Sequence, residues 1–121
     1  MAGEFDFYTR LAYEDVDAAA AWLVRVFGFV ERERKGGIIW LDLGSGTVMI
    51  SGTGFGMQSP KQLGGYSHKL NVYLDDVRTH YERAVAEGAQ IERELADVEY
   101  GERRYEAFDL EGHRWHFTQR L

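Results

Sequence analysis

Cysteine is absent from this chain, and proline occurs only once, at Pro60. Without cysteine the protein cannot form disulfides, thiolate nucleophiles or cysteine-ligated zinc sites. No apolar run is long enough to span a bilayer, and the N-terminus lacks the apolar core of a signal peptide. These absences predict a soluble, cytoplasmic protein with no membrane partner.

Basic residues are in the minority. Lysine and arginine total 14 against 20 aspartates and glutamates, which gives a formal net charge of −6. We expect no nucleic-acid partner, because binding phosphates takes clustered lysines and arginines. The acidic balance is compatible with a cationic ligand, although it is more commonly a solubility feature.

The apolar content of 45% is enough for a real core. A chain of 121 residues fits a single domain, which we place at residues 1–121. A domain of this size buries a smaller share of its surface than a large one, and a second copy often covers what is left. We therefore expect a homodimer.

The chain repeats itself. Residues 13–33, YEDVDAAAAWLVRVFGFVERE, resemble residues 73–94, YLDDVRTHYERAVAEGAQIERE, and their Asp-Val pairs are 61 positions apart. Residues 42–50, DLGSGTVMI, lie over residues 109–117, DLEGHRWHF, at an offset of 67. Two copies of one supersecondary unit explain both matches.

Each copy begins with an extended run that is followed by a helix. Asp15 and Asp76 stand where a helix N-cap belongs, and apolar residues then recur at three- and four-residue steps. Gly28 and Gly88 fall where these helices end, because glycine adopts a left-handed C-cap without steric cost. The extended runs are Phe5 to Tyr13 and His68 to Leu74.

Three further strands complete each copy, and tight glycine-containing turns join them. The pattern predicts an α+β fold of two βαβββ units, at about residues 5–51 and 66–119, joined by a glycine-rich linker at residues 52–65. The expected strands are Val30–Arg34, Ile38–Leu43, Thr47–Ser51, Gln90–Glu94, Arg104–Asp109 and His113–Thr118.

Residues 100–117, YGERRYEAFDLEGHRWHF, carry a family resemblance. They are similar to the "YG-D/E-R … D-P-x-G-H-x-W" ending of the vicinal oxygen chelate superfamily, the glyoxalase, bleomycin-resistance and extradiol-dioxygenase group, with Leu110 where that group usually has proline. The resemblance covers nearly the whole chain. It implies a half-open, U-shaped mixed sheet barrel around a cavity, usually assembled as a dimer.

Metal-dependent members of that superfamily use four ligands, one on the first and one on the last strand of each unit. The resemblance places these positions at Tyr8, Met49, Lys69 and His116. Zinc, iron and manganese prefer imidazole or carboxylate ligands, and only His116 offers one. We therefore predict no metal cofactor and a place in a metal-less, glyoxalase-like branch.

The strand register leaves one alternative open. His68 is adjacent to Lys69, and a β-bulge there would turn its imidazole inward beside His116. We expect a divalent metal cofactor only if His68 is turned inward in this way. The remaining histidines are expected in structural positions, with His80 at the core edge or surface and His113 in the packing layer with Trp115 and Phe117.

Strand alternation selects the side chains that face the expected cavity. They combine aromatic and thioether surface with a few polar groups, which suits a small organic ligand. The candidate ligand-binding residues are Tyr8, Arg10, Trp40, Met49, Ser51, Lys69, Asn71, Tyr73, Tyr105, Arg114 and His116.

Three functions are compatible with this pattern. The first is a metal-independent binding protein of the bleomycin-resistance type. The second is a lyase, isomerase or dioxygenase, either metal-dependent or using His116 and Tyr8 for proton transfer; no other catalytic residues are assigned, because no activated nucleophile is recognisable. The third is an accessory module whose partner protein covers the open barrel.

Two questions stay open at this level. The net charge favours a cationic ligand, whereas Arg10 and Lys69 in the pocket favour an anionic one. The two units pair either within one chain or between the chains of a dimer, and the linker does not decide which.

Overall fold

A computed structural model describes residues 6–121 of the chain. The strands are β1 Thr9–Tyr13, β2 Val30–Lys35, β3 Ile38–Leu43, β4 Gly46–Gly52, β5 Leu70–Tyr73, β6 Gln90–Val98, β7 Glu102–Phe108 and β8 Arg114–Arg120. The helices are α1 Val16–Trp22, which continues as a π-helical turn over Leu23–Phe27, α2 Pro60–Leu63 and α3 Val77–Ala86. The predicted first strand began at Phe5, which lies outside the described residues.

The strands form two four-stranded mixed sheets of identical topology. Their orders are β1-β4-β3-β2 and β5-β8-β7-β6. In each sheet the first strand pairs in parallel with the last, and the other neighbours are antiparallel. The predicted α+β fold of two βαβββ units is therefore confirmed, with sheets that stay open rather than closing into a barrel.

The two predicted helices begin at the predicted N-caps, and the first ends at the predicted glycine, whereas α3 ends at Ala86 with Glu87 as its C-cap, just before Gly88. The Asp15 side chain accepts a hydrogen bond from the Ala18 amide at 3.0 Å, and Asp76 accepts one from the Thr79 amide at 3.1 Å. These contacts satisfy amide groups that a helix start leaves unpaired. Gly28 ends the π-helical turn with a φ of 80°, in the left-handed region that glycine tolerates best.

The linker contains a short helix that the sequence analysis did not predict. Ser59 and Gln62 form a reciprocal capping box around α2, with Pro60 in the first turn. Ahead of it, Phe55 projects into solvent with a φ of 52°. The linker therefore contains a short helix and is not irregular throughout.

One hydrophobic core serves both units. Leu11 and Ile50 of the first sheet and Trp115 and Phe117 of the second are all buried in it. The ring of Phe27, at the end of the π-helical turn, lies 4.7 Å from the Phe117 ring. The helical segment of the first unit thus packs on the last strand of the second. None of the helices in residues 6–121 combines the length and apolar character needed to cross a membrane.

Residues 109–113, the loop between β7 and β8, tie the second unit to the first. Asp109 accepts hydrogen bonds from the Tyr13 hydroxyl at 2.5 Å and from the Trp115 indole at 3.1 Å. The buried Glu111 carboxylate accepts the amides of Glu14 at 2.6 Å and of Asp15 at 3.0 Å, just before α1. This loop therefore fixes the start of α1.

Candidate functional site

Each sheet has one face beneath the helices and one face that points away from them, which we call its distal face. On β1, Leu11 and Tyr13 enter the core, so Tyr8 and Arg10 belong to the first distal face. On β8, Trp115 and Phe117 enter the core, so Arg114 and His116 belong to the second distal face. The core positions of Trp115 and Phe117 match the packing layer predicted for them.

The first distal face combines aromatic and polar side chains. Trp40 lies directly opposite Met49 across β3 and β4. The Arg10 guanidinium donates to the Ser51 hydroxyl at 2.9 Å. The Arg32 guanidinium lies 5.9 Å from the centre of the Tyr8 ring. This face offers ring and thioether surface beside hydrogen-bonding groups.

The second distal face is more polar. The His116 Nε2 atom lies 3.1 Å from a Glu106 carboxylate oxygen, and both side chains are more than nine-tenths buried. The Arg114 Nη2 atom lies 3.1 Å from a Glu92 carboxylate oxygen. Two further guanidinium groups, those of Arg93 and Arg104, lie 3.6 and 3.8 Å from Glu106 oxygens.

Burial controls the protonation of His116. Desolvation lowers the pKa of its imidazole below the ordinary value, because the charged form loses hydration. Glu106 raises that pKa, and the nearby Lys69 and Arg104 lower it. At neutral pH the ring is therefore neutral, with one nitrogen as donor and the other as acceptor.

Tyr105 was predicted to line the pocket, and the structure corrects this assignment. Its ring is fully buried in the core, 5.1 Å from the Phe117 ring, and its hydroxyl lies 2.6 Å from His80 Nδ1. Tyr105 is paired with Phe117 across β7 and β8, so both point toward α3. Glu106, paired with His116, holds the distal position instead.

The sequence places Tyr105 on the wrong face because the turn between β7 and β8 is longer than the matching turn of the first unit. The first unit joins β3 to β4 through a two-residue turn, with Leu43 paired to Gly46. The second unit joins β7 to β8 through residues 109–113, with Phe108 paired to Arg114. Counting outward from His116 across this longer turn would have identified Glu106 from the sequence; Glu92 lies beside a register shift and had no such signal.

The structure keeps the predicted residues of the two units apart. Among residues 6–121, every hydrogen bond, ion pair and cation–ring contact of the distal faces stays within one unit. Tyr73 lies under the Arg120 guanidinium at 4.1 Å. Asn71 is opposite His116 in the register of β5 and β8.

A groove of about 640 Å³ runs along β5 and the start of β1. Of the eleven predicted ligand-binding residues, only Asn71 and Tyr73 line it. Phe29 and Trp115 give it an apolar floor, and the turn at residues 43–48 forms one wall. Arg114 and His116 do not line it, although Asn71, which is opposite His116 in the strand register, does.

The four positions where the superfamily resemblance expects metal ligands do not suit a divalent ion. Tyr8 and Met49 lie on the first distal face, and Lys69 and His116 belong to the second unit. A thioether and an ammonium are poor donors for zinc, iron or manganese. In the described part of the chain no three histidine, aspartate or glutamate side chains come close enough to hold an ion.

The alternative with His68 turned inward is not what the structure contains. His68 is exposed before the start of β5, and its ring centre lies 6.2 Å from that of His113. His113 itself is buried, and its Nε2 atom is 2.9 Å from the Ala12 carbonyl oxygen. Among residues 6–121, neither histidine has a hydrogen bond, ion pair or ring contact with His116 or Glu106.

Solved structures share this architecture. TioX from Micromonospora sp. ML1 is 40% identical, with a TM-score of 0.80 over 94% of this chain and 97% of that one. A glyoxalase/bleomycin resistance protein/dioxygenase family enzyme from Burkholderia phytofirmans PsJN is 23% identical, with a TM-score of 0.76 over 94% and 97% of the chains. A third such structure, from Alicyclobacillus acidocaldarius, is 15% identical with a TM-score of 0.77 over 98% and 92% of the chains. The last two show the fold alone.

Family-level comparison agrees with these structures. No curated protein matches the chain. The family model described as the Glyoxalase/Bleomycin resistance protein/Dioxygenase superfamily matches residues 5–117. The match covers both βαβββ units, and the chain belongs to this superfamily.

Proposed function

We propose that the protein is a metal-independent, small-molecule binding protein of the bleomycin-resistance type. The observation that carries this proposal is the side-chain chemistry at Tyr8, Met49, Lys69 and His116, where imidazole and carboxylate groups would be needed for metal catalysis. The distal faces retain ring surface and hydrogen-bonding groups, which are the components of an organic-ligand site. We also propose that it acts as a cytoplasmic homodimer.

A thermal-shift screen against aromatic metabolites and glycopeptides tests this proposal. We expect at least one aromatic compound to raise the melting temperature, since binding only the folded state stabilises it. The shift should shrink in Tyr66→Leu, which removes the ring stacked on Arg114 of the second distal face. It should persist in Tyr100→Leu, a matched change at a residue that is 92% exposed.

Two results would contradict the proposal. The first is the absence of stabilisation by any aromatic compound in the screen. The second is one tightly held ion per site, measured as metal stoichiometry after incubation with Zn²⁺, Mn²⁺ or Ni²⁺ and removal of free ions. Either result would move the assignment toward a catalytic or accessory role.

The contact between His116 and Glu106 favours one further candidate, a metal-free enzyme of the glyoxalase or dioxygenase type. A neutral, buried imidazole beside a carboxylate is a suitable general base. Tyr8, about one-third exposed on the first distal face, would be the second proton-transfer group. On this alternative, His116→Gln abolishes turnover without lowering the affinity for substrate, whereas a pure binding protein has no turnover to lose.

A further inference from the structure

The second distal face is positively charged within an acidic protein. It gathers four cationic side chains, Lys69, Arg93, Arg104 and Arg114, around two carboxylates, Glu92 and Glu106. This cluster of six side chains therefore carries a surplus of two positive charges, while the chain as a whole has a formal net charge of −6. Local potential at a site decides which ligand charge is favoured there, whatever the sign of the total.

Arg114 is held in a fixed position on this face. Its guanidinium carbon lies 3.9 Å from the centre of the Tyr66 ring and 4.7 Å from that of Phe108. The Nη2 atom contacts Glu92, and Nη1 donates to the Tyr66 hydroxyl. A guanidinium fixed in this way loses little conformational entropy when a ligand binds, and its planar fork matches a carboxylate.

Three buried polar atoms on the same face lack a hydrogen-bond partner in residues 6–121: Arg114 Nε, Glu92 Oε1 and His116 Nε2. The His116 side chain is only 8% exposed, and although Glu106 lies 3.1 Å away, the two groups are not aligned for a hydrogen bond. Leaving a buried donor or acceptor unpaired costs free energy. The cluster therefore has hydrogen-bonding capacity that the described chain does not use.

We propose that the second distal face binds the carboxylate of a small aromatic acid, with Arg114 as the principal donor and His116 as a second polar contact. This inference rests on the proposed binding function and adds the charge and class of its ligand. The part of the Tyr66 ring that Arg114 leaves uncovered supplies surface for the aromatic part of the ligand, since Tyr66 is 40% exposed. The local charge surplus thus favours an anionic ligand over the cationic one that the net charge of the chain favours.

Calorimetric titration with three matched probes tests the inference: naphthoate, naphthylmethanol and naphthylmethylammonium. We expect naphthoate to bind roughly tenfold or more tightly than the alcohol, because hydrogen bonds to a charged group are about twice as strong as neutral ones. The ammonium probe should bind weakest. Arg114→Gln should remove the preference for naphthoate, and Arg104→Gln should reduce it.

Arg78→Gln, at an exposed position on α3, is the matched control and should keep the full preference. Circular dichroism confirms that each variant is folded. Equal or tighter binding of the alcohol or ammonium probe overturns the inference, as does a preference that survives Arg114→Gln. If a neutral or cationic compound from the thermal-shift screen binds instead, the binding function stands and only the carboxylate assignment fails; no binding by any compound defeats both.

Discussion

His80, in α3, anchors that helix to both units. Its Nε2 atom lies 2.7 Å from the Phe27 carbonyl oxygen, and its Nδ1 atom lies 2.6 Å from the Tyr105 hydroxyl. A carbonyl oxygen only accepts, so Nε2 carries the proton and Nδ1 accepts from Tyr105. The neutral tautomer thus satisfies all three groups, and burial lowers the pKa of the imidazole accordingly.

The lowered pKa of His80 makes stability depend on pH. The unfolded chain binds a proton at about pH 6.5, whereas the folded protein binds it only at lower pH. The stabilisation from neutral His80 is therefore complete above about pH 6.5 and is lost as the pH falls through the folded value. We expect the loss of unfolding free energy between about pH 7.5 and 5.5 to be smaller in His80→Gln than in the wild type.

Urea unfolding at the two pH values measures this difference. His116, whose pKa burial also lowers, contributes in the same direction, so His80→Gln is compared in a His116→Gln background as well. His68→Gln, at an exposed position, is the control and should keep the wild-type pH dependence. Equal pH dependence in His80→Gln and the wild type would contradict the role assigned to His80.

At the scale of elements, the loop at residues 109–113 of the second unit holds the start of α1 in the first unit. Glu111 accepts two backbone amides at the start of α1, where unpaired amides and the helix dipole both favour a negative charge. The helix is otherwise short, with seven residues before the π-helical turn. Its position depends on a carboxylate from the other unit.

Glu111→Gln tests this dependence. An amide side chain presents one acceptor oxygen and an NH₂ group, so one of the two amides loses its partner and faces another donor. We expect the free energy of unfolding to fall by roughly 1.5–3 kcal/mol, the range for hydrogen bonds to a charged group. Glu99→Gln, at an exposed position, should change it by less than about 0.5 kcal/mol. Similar small effects from both variants, measured by urea unfolding, would count against the loop as the anchor of α1.

At the scale of the whole molecule, several exposed surfaces are available for contact with another chain. All six residues of β2 are exposed, including Val30 at 65%. Phe7 and Phe55 also project into solvent. Among the described residues, no hydrogen bond, ion pair or cation–ring contact joins the distal faces of the two units. Pairing of a distal face with that of another chain is consistent with the proposed homodimer.

We expect sedimentation velocity to show a species of twice the 13.9 kDa chain mass at micromolar concentration. Val30→Lys places a charge on an exposed apolar position of an edge strand, where it should weaken association without lowering the stability of the single chain. Val85→Lys, which replaces an exposed valine on α3, is the control and should leave the dimer intact. A monomer at all concentrations would contradict the assembly.

Local sequence determined much of the architecture. The N-caps at Asp15 and Asp76 and the glycine at Gly28 act through neighbouring backbone groups, so short motifs predicted them. The internal repeat predicted both units because the same local motifs occur twice along the chain. The capping box at Ser59 and Gln62 is also local, and it begins a helix inside the segment that the sequence predicts as a linker.

Tertiary structure decided which charged side chains meet on the second distal face. The distal position of Glu106 follows from the five-residue turn before β8, and the approach of Glu92 to Arg114 follows from a register shift in β6. The contact of Phe27 with Phe117 depends on how the two separately encoded units pack, and so do the contacts of His80 and Arg83 with carbonyl oxygens of the first unit. Backbone motifs act within a few residues and are written locally, whereas charge clusters arise from side chains that only packing brings together.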